Sequence, residues 1–235
     1  MALVREPMMA FFWVILAPVL FVTGGAMITA SIIPEFDPGT AQEVQAYHTA
    51  WLVSCLALAL WFAIMSVWSE WLGAGPFAGE MSVEAPWIVI ALIVGPMLLL
   101  IPSLVVGSFM SEPDWQFRGE VDENVFAPAN WSIAFIFATV LLAPIVEEVA
   151  FRGIGFGALI ARGASPALAI ALSSAAFAFS HLHYSTAAML VVFLTGVGLG
   201  ILRLMSGTVI VPMVAHMAAN ANTLFLMWVA ANPPT

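Results

Sequence analysis

Two adjacent carboxylates and an arginine, Glu147, Glu148 and Arg152, interrupt a stretch of the chain that is otherwise apolar. The sixteen residues before them, 131–146, carry no charge. An ionisable side chain at the centre of a membrane helix costs about 2.5–3.5 kcal/mol, and such residues usually face a protein interior where they have a function. Because only 8% of the chain is charged, three charges within six positions indicate a functional site.

Helical spacing predicts different surroundings for the two glutamates. Glu148 and Arg152 are four residues apart with the acid first, which is the favourable order for an ion pair on one helix face. Glu147 is rotated by about 100° from Glu148. We therefore expect Arg152 to neutralise Glu148, while Glu147 faces another part of the protein.

Three more polar side chains lie in apolar runs that follow: His181, His216 and Asn220. His216 and Asn220 are four apart, so on a helix they share a face and can offer two hydrogen-bond donors to one oxygen. Along straight helices, Glu147 and His181 each lie roughly 22 Å from the turn near residue 162. His216 and Asn220 lie roughly 13 and 20 Å from the 206–207 turn on the same side. The four groups are therefore predicted to share one level of the membrane.

Prolines and glycines near these groups predict local helix geometry. Pro144 and Pro212 precede Glu147 and His216, and each is expected to remove a backbone hydrogen bond and open its helix. Two glycine pairs have the spacing that lets helix backbones approach closely, and we interpret them as packing positions. They are Gly153 with Gly157 and Gly196 with Gly200.

This set of side chains predicts amide hydrolysis. A carboxylate and a histidine, Glu147 and His181, can hold and deprotonate a water molecule. A pair of donors, His216 and Asn220, can stabilise the oxyanion that forms when this water attacks a carbonyl.

The same side chains could alternatively bind a catalytic metal ion. Glu147, His181 and His216 would make the two-histidine, one-glutamate ligand set of several catalytic zinc sites. The chain lacks His-Glu-x-x-His and takes these groups from separate helices, so a metal-free mechanism is favoured over zinc.

Taken one at a time, these residues also have structural explanations. Glu148 and Arg152 can form a purely structural ion pair, and Asn220 can bridge two helices. Intramembrane carboxylates and histidines also build proton relays. The alternative function is therefore a non-catalytic membrane protein, either a proton-coupled transporter or a bacteriocin immunity or scaffold factor.

The composition predicts the fold class. With 63% hydrophobic and 8% charged residues, a soluble fold is excluded, and an all-α polytopic transmembrane helical bundle of about 7–8 spans is expected. Seven spans are predicted, with an eighth, partial one if the glycines after Arg152 break the fourth: 8–33, 48–69, 87–110, 131–160, 166–185, 186–205 and 208–230. The net charge of −9 argues against nucleic acid as a partner.

Organisation and orientation follow from the same pattern. Residues 1–130 are expected to form membrane spans of unassigned role, and residues 131–235 a catalytic core within one integral membrane domain. A cytoplasmic N-terminus would place four of the five arginines on or toward the inside, as the positive-inside rule favours. Only Arg118 would then lie outside among carboxylates.

The ordered motifs Glu-Glu-x-x-x-Arg, Phe-x-x-x-His and His-x-x-x-Asn resemble those of the CPBP family. This family, also called Abi, comprises CAAX proteases and bacteriocin-processing enzymes and includes the type II CAAX prenyl endopeptidases. The resemblance covers about residues 131–230 and implies an intramembrane endopeptidase acting on a peptide or protein substrate at the bilayer. The short chain looks more like the prokaryotic branch, which implies a prokaryotic cell membrane. By resemblance, Glu147 and His181 activate the water, His216 and Asn220 form the oxyanion hole, Glu148 and Arg152 support Glu147, and Phe177 fills the apolar position.

Overall fold

The computed structural model describes residues 40–71, 82–109, 127–161, 163–181 and 184–233, and these residues fold into helices. The all-α prediction is confirmed. A short 3₁₀ turn, Pro128–Asn130, precedes the third helix. In chain order the helices are α1 (Ala41–Trp71), α2 (Ala85–Ser108), α3 (the five consecutive segments from Ile133–Phe137 to Phe156–Ala161), α4 (Pro166–Phe179), α5 (Thr186–Ser206) and α6 (Ile210–Ala231).

Four of the described helices, α2, α3, α5 and α6, are long and apolar enough to cross a bilayer. Large apolar side chains lie exposed along them, for example Leu104 on α2 and Ile201 on α5. Such a surface is suited to lipid, and the chain is an integral membrane protein. The predicted total of seven or eight spans is not confirmed. The predicted span 8–33 lies outside the described residues, and 48–69 lies within α1, which is not one of the four.

Helix α4 is shorter than predicted. The Ser165 hydroxyl caps its first turn by accepting a hydrogen bond from the Leu168 N–H, and Pro166 occupies the first helical position. The helix ends at Phe179 after 14 residues, about 21 Å at 1.5 Å per residue, which is less than the hydrocarbon thickness of a bilayer. The prediction of a helical span over 166–185 was therefore wrong. His181 lies in the turn after α4, where its N–H bonds the Ala178 carbonyl at 3.0 Å.

Helix α3 alternates between α and π geometry. Two π segments, Ala138–Leu142 and Val149–Gly155, flank the α segment Ala143–Glu148. The helix runs through the glycines after Arg152 without interruption, so the break that would have made an eighth, partial segment is absent from this helix. π segments inside α-helices often occur at functional sites. Both glutamates lie between the two π segments.

The two prolines have different effects. Pro144 lies inside α3, two residues after the last residue of the first π segment, where a missing N–H changes the hydrogen bonding of the helix. Pro212 lies in the first turn of α6, which begins at Ile210. Backbone N–H groups of a first turn have no helical acceptor, so Pro212 costs no bond. The prediction that Pro212 opens its helix was wrong.

Close helix packing depends on particular glycines. A Cβ on Gly196 would lie 3.0 Å from the Arg152 guanidinium, and one on Gly200 would lie 3.0 Å from the Ile170 side chain. A Cβ on Gly95 of α2 would overlap the backbone of Ala215 in α6. Packing is thus the correct interpretation for Gly196 and Gly200. For Gly157 it is not confirmed, since within the described part of the chain a Cβ there would meet nothing within 4 Å.

Candidate active site

A buried ion pair forms the base of the site. Arg152 Nη1 lies 3.0 Å from Glu148 Oε1, and both side chains are 0% exposed. Arg152 Nη2 donates to the Gly196 carbonyl of α5 at 2.9 Å. Arg203 Nε, also on α5, donates to the Arg152 carbonyl at 3.2 Å. The predicted ion pair is therefore present, and it joins α3 to α5.

His216 bridges the two glutamates. Its Nδ1 lies 3.0 Å from Glu148 Oε1, and its Nε2 lies 3.7 Å from Glu147 Oε2. The Glu148 carboxylate, ion-paired with Arg152, can only accept hydrogen bonds, so we assign the Nδ1 proton to the His216 ring. This contact with Glu148 was not predicted from the sequence, where Glu148 was paired with Arg152 alone.

His181 borders the opposite oxygen of Glu147. Its Nε2 lies 3.9 Å from Glu147 Oε1. Its Nδ1 lies 2.9 Å from the Phe177 carbonyl and 3.2 Å from the Ser180 hydroxyl. A carbonyl only accepts, so Nδ1 carries the proton, and in the neutral ring Nε2 presents a lone pair toward Glu147.

The Glu147 carboxylate is thus flanked by a ring nitrogen on each side. Separations of 3.7 and 3.9 Å are too long for direct hydrogen bonds of normal strength. In the neutral His181 tautomer, both Glu147 Oε1 and His181 Nε2 are acceptors, and one water molecule could donate a hydrogen to each. The Glu147 and His181 side chains are 19% and 15% exposed, whereas Glu148 is fully enclosed. Glu147 is therefore the glutamate that a substrate can approach.

Phe177 holds the rings of the site in place. Phe177 is buried, with 3% relative exposure. Its ring meets the His181 and His216 rings edge-on at centroid distances of 5.0 and 5.7 Å. The Arg152 guanidinium lies 4.6 Å from the centre of the same ring. An aromatic ring suits this position because its face attracts the cation and its edge packs against the imidazoles.

Asn220 lies one turn after His216 on α6. Its Nδ2 donates a hydrogen bond of 2.9 Å to the backbone carbonyl of Thr139, in the first π segment of α3. The side chains brought together around Glu147 are therefore those of both histidines, while the Asn220 amide is bonded to the backbone of α3.

Sequence reasoning missed several groups at this site. The carbonyls of Gly196 and Thr139 accept from Arg152 and Asn220, and the Tyr184 ring lies 5.1 Å from the His181 ring. Backbone carbonyls leave no signal in a residue pattern. Tyr184 was detectable in principle, as one of only two tyrosines, three residues after His181.

In the part of the chain that the structure describes, no group of three or more His, Cys, Asp or Glu side chains has the arrangement of a metal-ion site. His181 directs Nδ1 at a carbonyl and His216 directs Nδ1 at Glu148, so Nε2 is the nitrogen that each ring turns toward Glu147. The zinc alternative would have to use these two atoms together with Glu147.

The comparison with protein families bears on the same part of the chain. Residues 129–222 match the model of the family described as type II CAAX prenyl endopeptidase Rce1-like. The matched region contains all three motifs, and the resemblance to the CAAX proteases is confirmed for it. No curated protein and no solved structure matches the chain.

Proposed function

We propose, from the Rce1-like domain at residues 129–222 and the geometry around Glu147, that this protein is an intramembrane endopeptidase. The observation that carries the proposal is the carboxylate of Glu147 between two imidazole nitrogens, at 3.9 and 3.7 Å. A peptide segment at the membrane is the substrate. The natural substrate is expected to be a membrane-associated protein or peptide of a prokaryotic cell.

In the proposed reaction, Glu147 and His181 hold a water molecule between them. As the water oxygen attacks the carbonyl carbon of the scissile bond, one water proton passes to Glu147. The carbonyl oxygen becomes an oxyanion, and the C–N bond then breaks while the leaving nitrogen takes the proton from Glu147. Water and peptide are thereby converted to a carboxylic acid and an amine, without a covalent enzyme intermediate.

The oxyanion is stabilised in this proposal by His216 and Asn220. Because His216 Nδ1 faces Glu148, its Nε2 can donate to an oxyanion only when the ring carries both protons. Asn220 has a second amide hydrogen besides the one bonded to Thr139. Glu148 and Arg152 act as positioning residues: Glu148 orients the His216 ring, and Arg152 holds Glu148.

Orientation and cofactor belong to the same proposal. The N-terminus is placed in the cytoplasm, with most of the arginines on or toward the cytoplasmic side, as the positive-inside rule favours. No step uses a metal ion. The metal-free mechanism is tested by treating the enzyme with a chelator, analysing its metal content and then measuring cleavage. Full activity without metal is expected.

The central test is cleavage of membrane peptides by the purified enzyme in detergent or liposomes. Glu147→Gln, which keeps the shape of the side chain but not the base, is expected to lower the rate by at least about 10²-fold, the usual contribution of a general base. The cleavage rates of His181→Ala and His216→Ala are expected to fall by a similar factor. Thermal unfolding shows whether each variant folds.

Glu43→Gln, on α1, is the matched control and should cleave at the normal rate. Full activity of Glu147→Gln would contradict the mechanism. The alternative, a proton relay, would instead show proton movement in liposomes without any cleavage, and it does not require the amide of Asn220.

A further inference from the structure

The first π segment of α3 and the proline after it together remove two usual helical donors of the Thr139 carbonyl. The N–H of Ala143 donates to the carbonyl of Ala138, five residues back. In α geometry the same N–H would have bonded the Thr139 carbonyl. In the π register, the next bond would run from residue 144 to Thr139, but residue 144 is proline and has no N–H. Neither register therefore provides Thr139 with a donor from these two positions.

Asn220 provides that donor from another helix. Its Nδ2 lies 2.9 Å from the Thr139 carbonyl oxygen. A backbone carbonyl left unpaired away from water costs free energy comparable to a lost hydrogen bond. The Asn220 amide therefore replaces the backbone donor that is missing at Pro144. The bond joins α6 to α3 one turn after His216 and two turns before Glu147.

The same bond has a geometric consequence for the site. Glu147 is carried by α3 and His216 by α6, and their facing atoms are 3.7 Å apart. A hydrogen bond between the two helices within about two turns of both residues restricts sliding and rotation of one helix against the other.

We propose that Pro144 and Asn220 act together as a positioning pair: Pro144 frees the Thr139 carbonyl, and the Asn220 amide binds it and thereby fixes Glu147 relative to His216. The inference rests on the proposed function, to which it adds a second role for Asn220. One amide hydrogen is used for the Thr139 carbonyl, and the other stays available for a substrate oxygen.

A double-mutant cycle tests the pair. Pro144→Ala restores an N–H at residue 144, which can bond the Thr139 carbonyl in place of Asn220. We therefore expect Asn220→Ala to lower both kcat and the unfolding temperature, and Pro144→Ala to recover part of both losses when added to Asn220→Ala. Adding Pro144→Ala to Asn220→Ala is expected to raise kcat by a factor between about 5 and about 100. This factor corresponds to the free energy of pairing a buried backbone carbonyl.

The matched control is Asn222→Ala, the same change two residues along α6. Pro144→Ala should recover nothing in the Asn222→Ala background. If Asn220 only stabilises an oxyanion, Asn220→Ala will lower kcat by the same factor whether residue 144 is proline or alanine. That additive result, in kcat and in unfolding temperature, would overturn the pairing.

Two further measurements keep the outcomes distinct. If the wild-type enzyme cleaves no peptide, the proposed function fails, while the unfolding temperatures of the cycle still test the pair. If Pro144→Ala does not fold, Asn220→Leu decides, because it keeps the approximate size of the side chain but has no donor for the Thr139 carbonyl. This variant should unfold at a lower temperature than the wild type, and an equal or higher temperature would overturn the inference.

Discussion

At the residue scale, the buried charges depend on one another. Glu148 Oε1 accepts from both Arg152 and His216 at 3.0 Å, and neither Glu148 nor Arg152 has any exposed surface. A buried charge without its partner is costly, whereas two neutral side chains of similar volume are often tolerated. The ion pair is thus expected to matter for orientation of His216 more than for net stability.

Removing one member of this pair should therefore cost more than removing both. Arg152→Met is expected to lower the free energy of unfolding by about 3–5 kcal/mol, because it leaves the Glu148 carboxylate buried without a cation. Adding Glu148→Gln to it should restore most of that loss. Equilibrium unfolding in detergent measures both variants. A double variant no more stable than Arg152→Met alone would contradict the assignment of these two charges to one pair.

The residue types and the spacing of this pair were readable from the sequence, because residues four apart on a helix are neighbours. The contact between Glu148 and His216 was not readable. It joins residues 68 positions apart on different helices, so no local spacing indicates it.

At the element scale, α5 approaches the ion pair with its backbone. Gly196 gives its carbonyl to Arg152 Nη2, and a Cβ on Gly196 would also lie 3.1 Å from Ser174 Cβ and 3.2 Å from the Phe177 ring. Three buried neighbours from two other helices therefore surround this one position. Small residues at helix crossings allow this approach in membranes.

Two glycine substitutions should consequently act in opposite directions. Gly196→Ala is expected to lower the free energy of unfolding by about 1–3 kcal/mol through overpacking, and to slow cleavage because Arg152 and Phe177 must shift. Gly157→Ala, with open space around its Cβ, should raise stability by up to about 1 kcal/mol, since alanine is the better helix former. Unfolding and cleavage assays on both variants test this. Equal effects would contradict the packing assigned to Gly196.

At the scale of the whole molecule, a helix outside the matched family region helps to form the core. Helix α2 precedes residue 129, where the match begins, yet it packs along α5 and α6. The Thr195 hydroxyl of α5 donates to the Leu98 carbonyl of α2 at 2.9 Å. Gly95 of α2 lies against the backbone of Ala215, the residue before His216. The position of α6, and with it His216, is therefore linked to the N-terminal half of the chain.

Gly95→Ala tests this link. A Cβ there would overlap the backbone of Ala215, which cannot move as a flexible side chain can, so both unfolding temperature and cleavage rate should fall. Leu104→Ala on the same helix is the control, because residue 104 is 65% exposed and its side chain mainly contacts lipid. If the two variants behave alike, the site does not depend on the contact between α2 and α6.

The sequence by itself determined the class of molecule and the chemistry of the candidate site. Apolar runs of about 20 residues predict helices in lipid, where every backbone polar group must be paired within the protein, and charges within these runs identify Glu147, Glu148 and Arg152. Only the tertiary structure decided that His181 follows a short helix, that His216 connects both glutamates, and that Asn220 bonds the Thr139 carbonyl. The physical reason is that such contacts use ring nitrogens and backbone carbonyls, whose availability depends on where helices end, where a proline removes a donor, and how closely neighbouring helices pack.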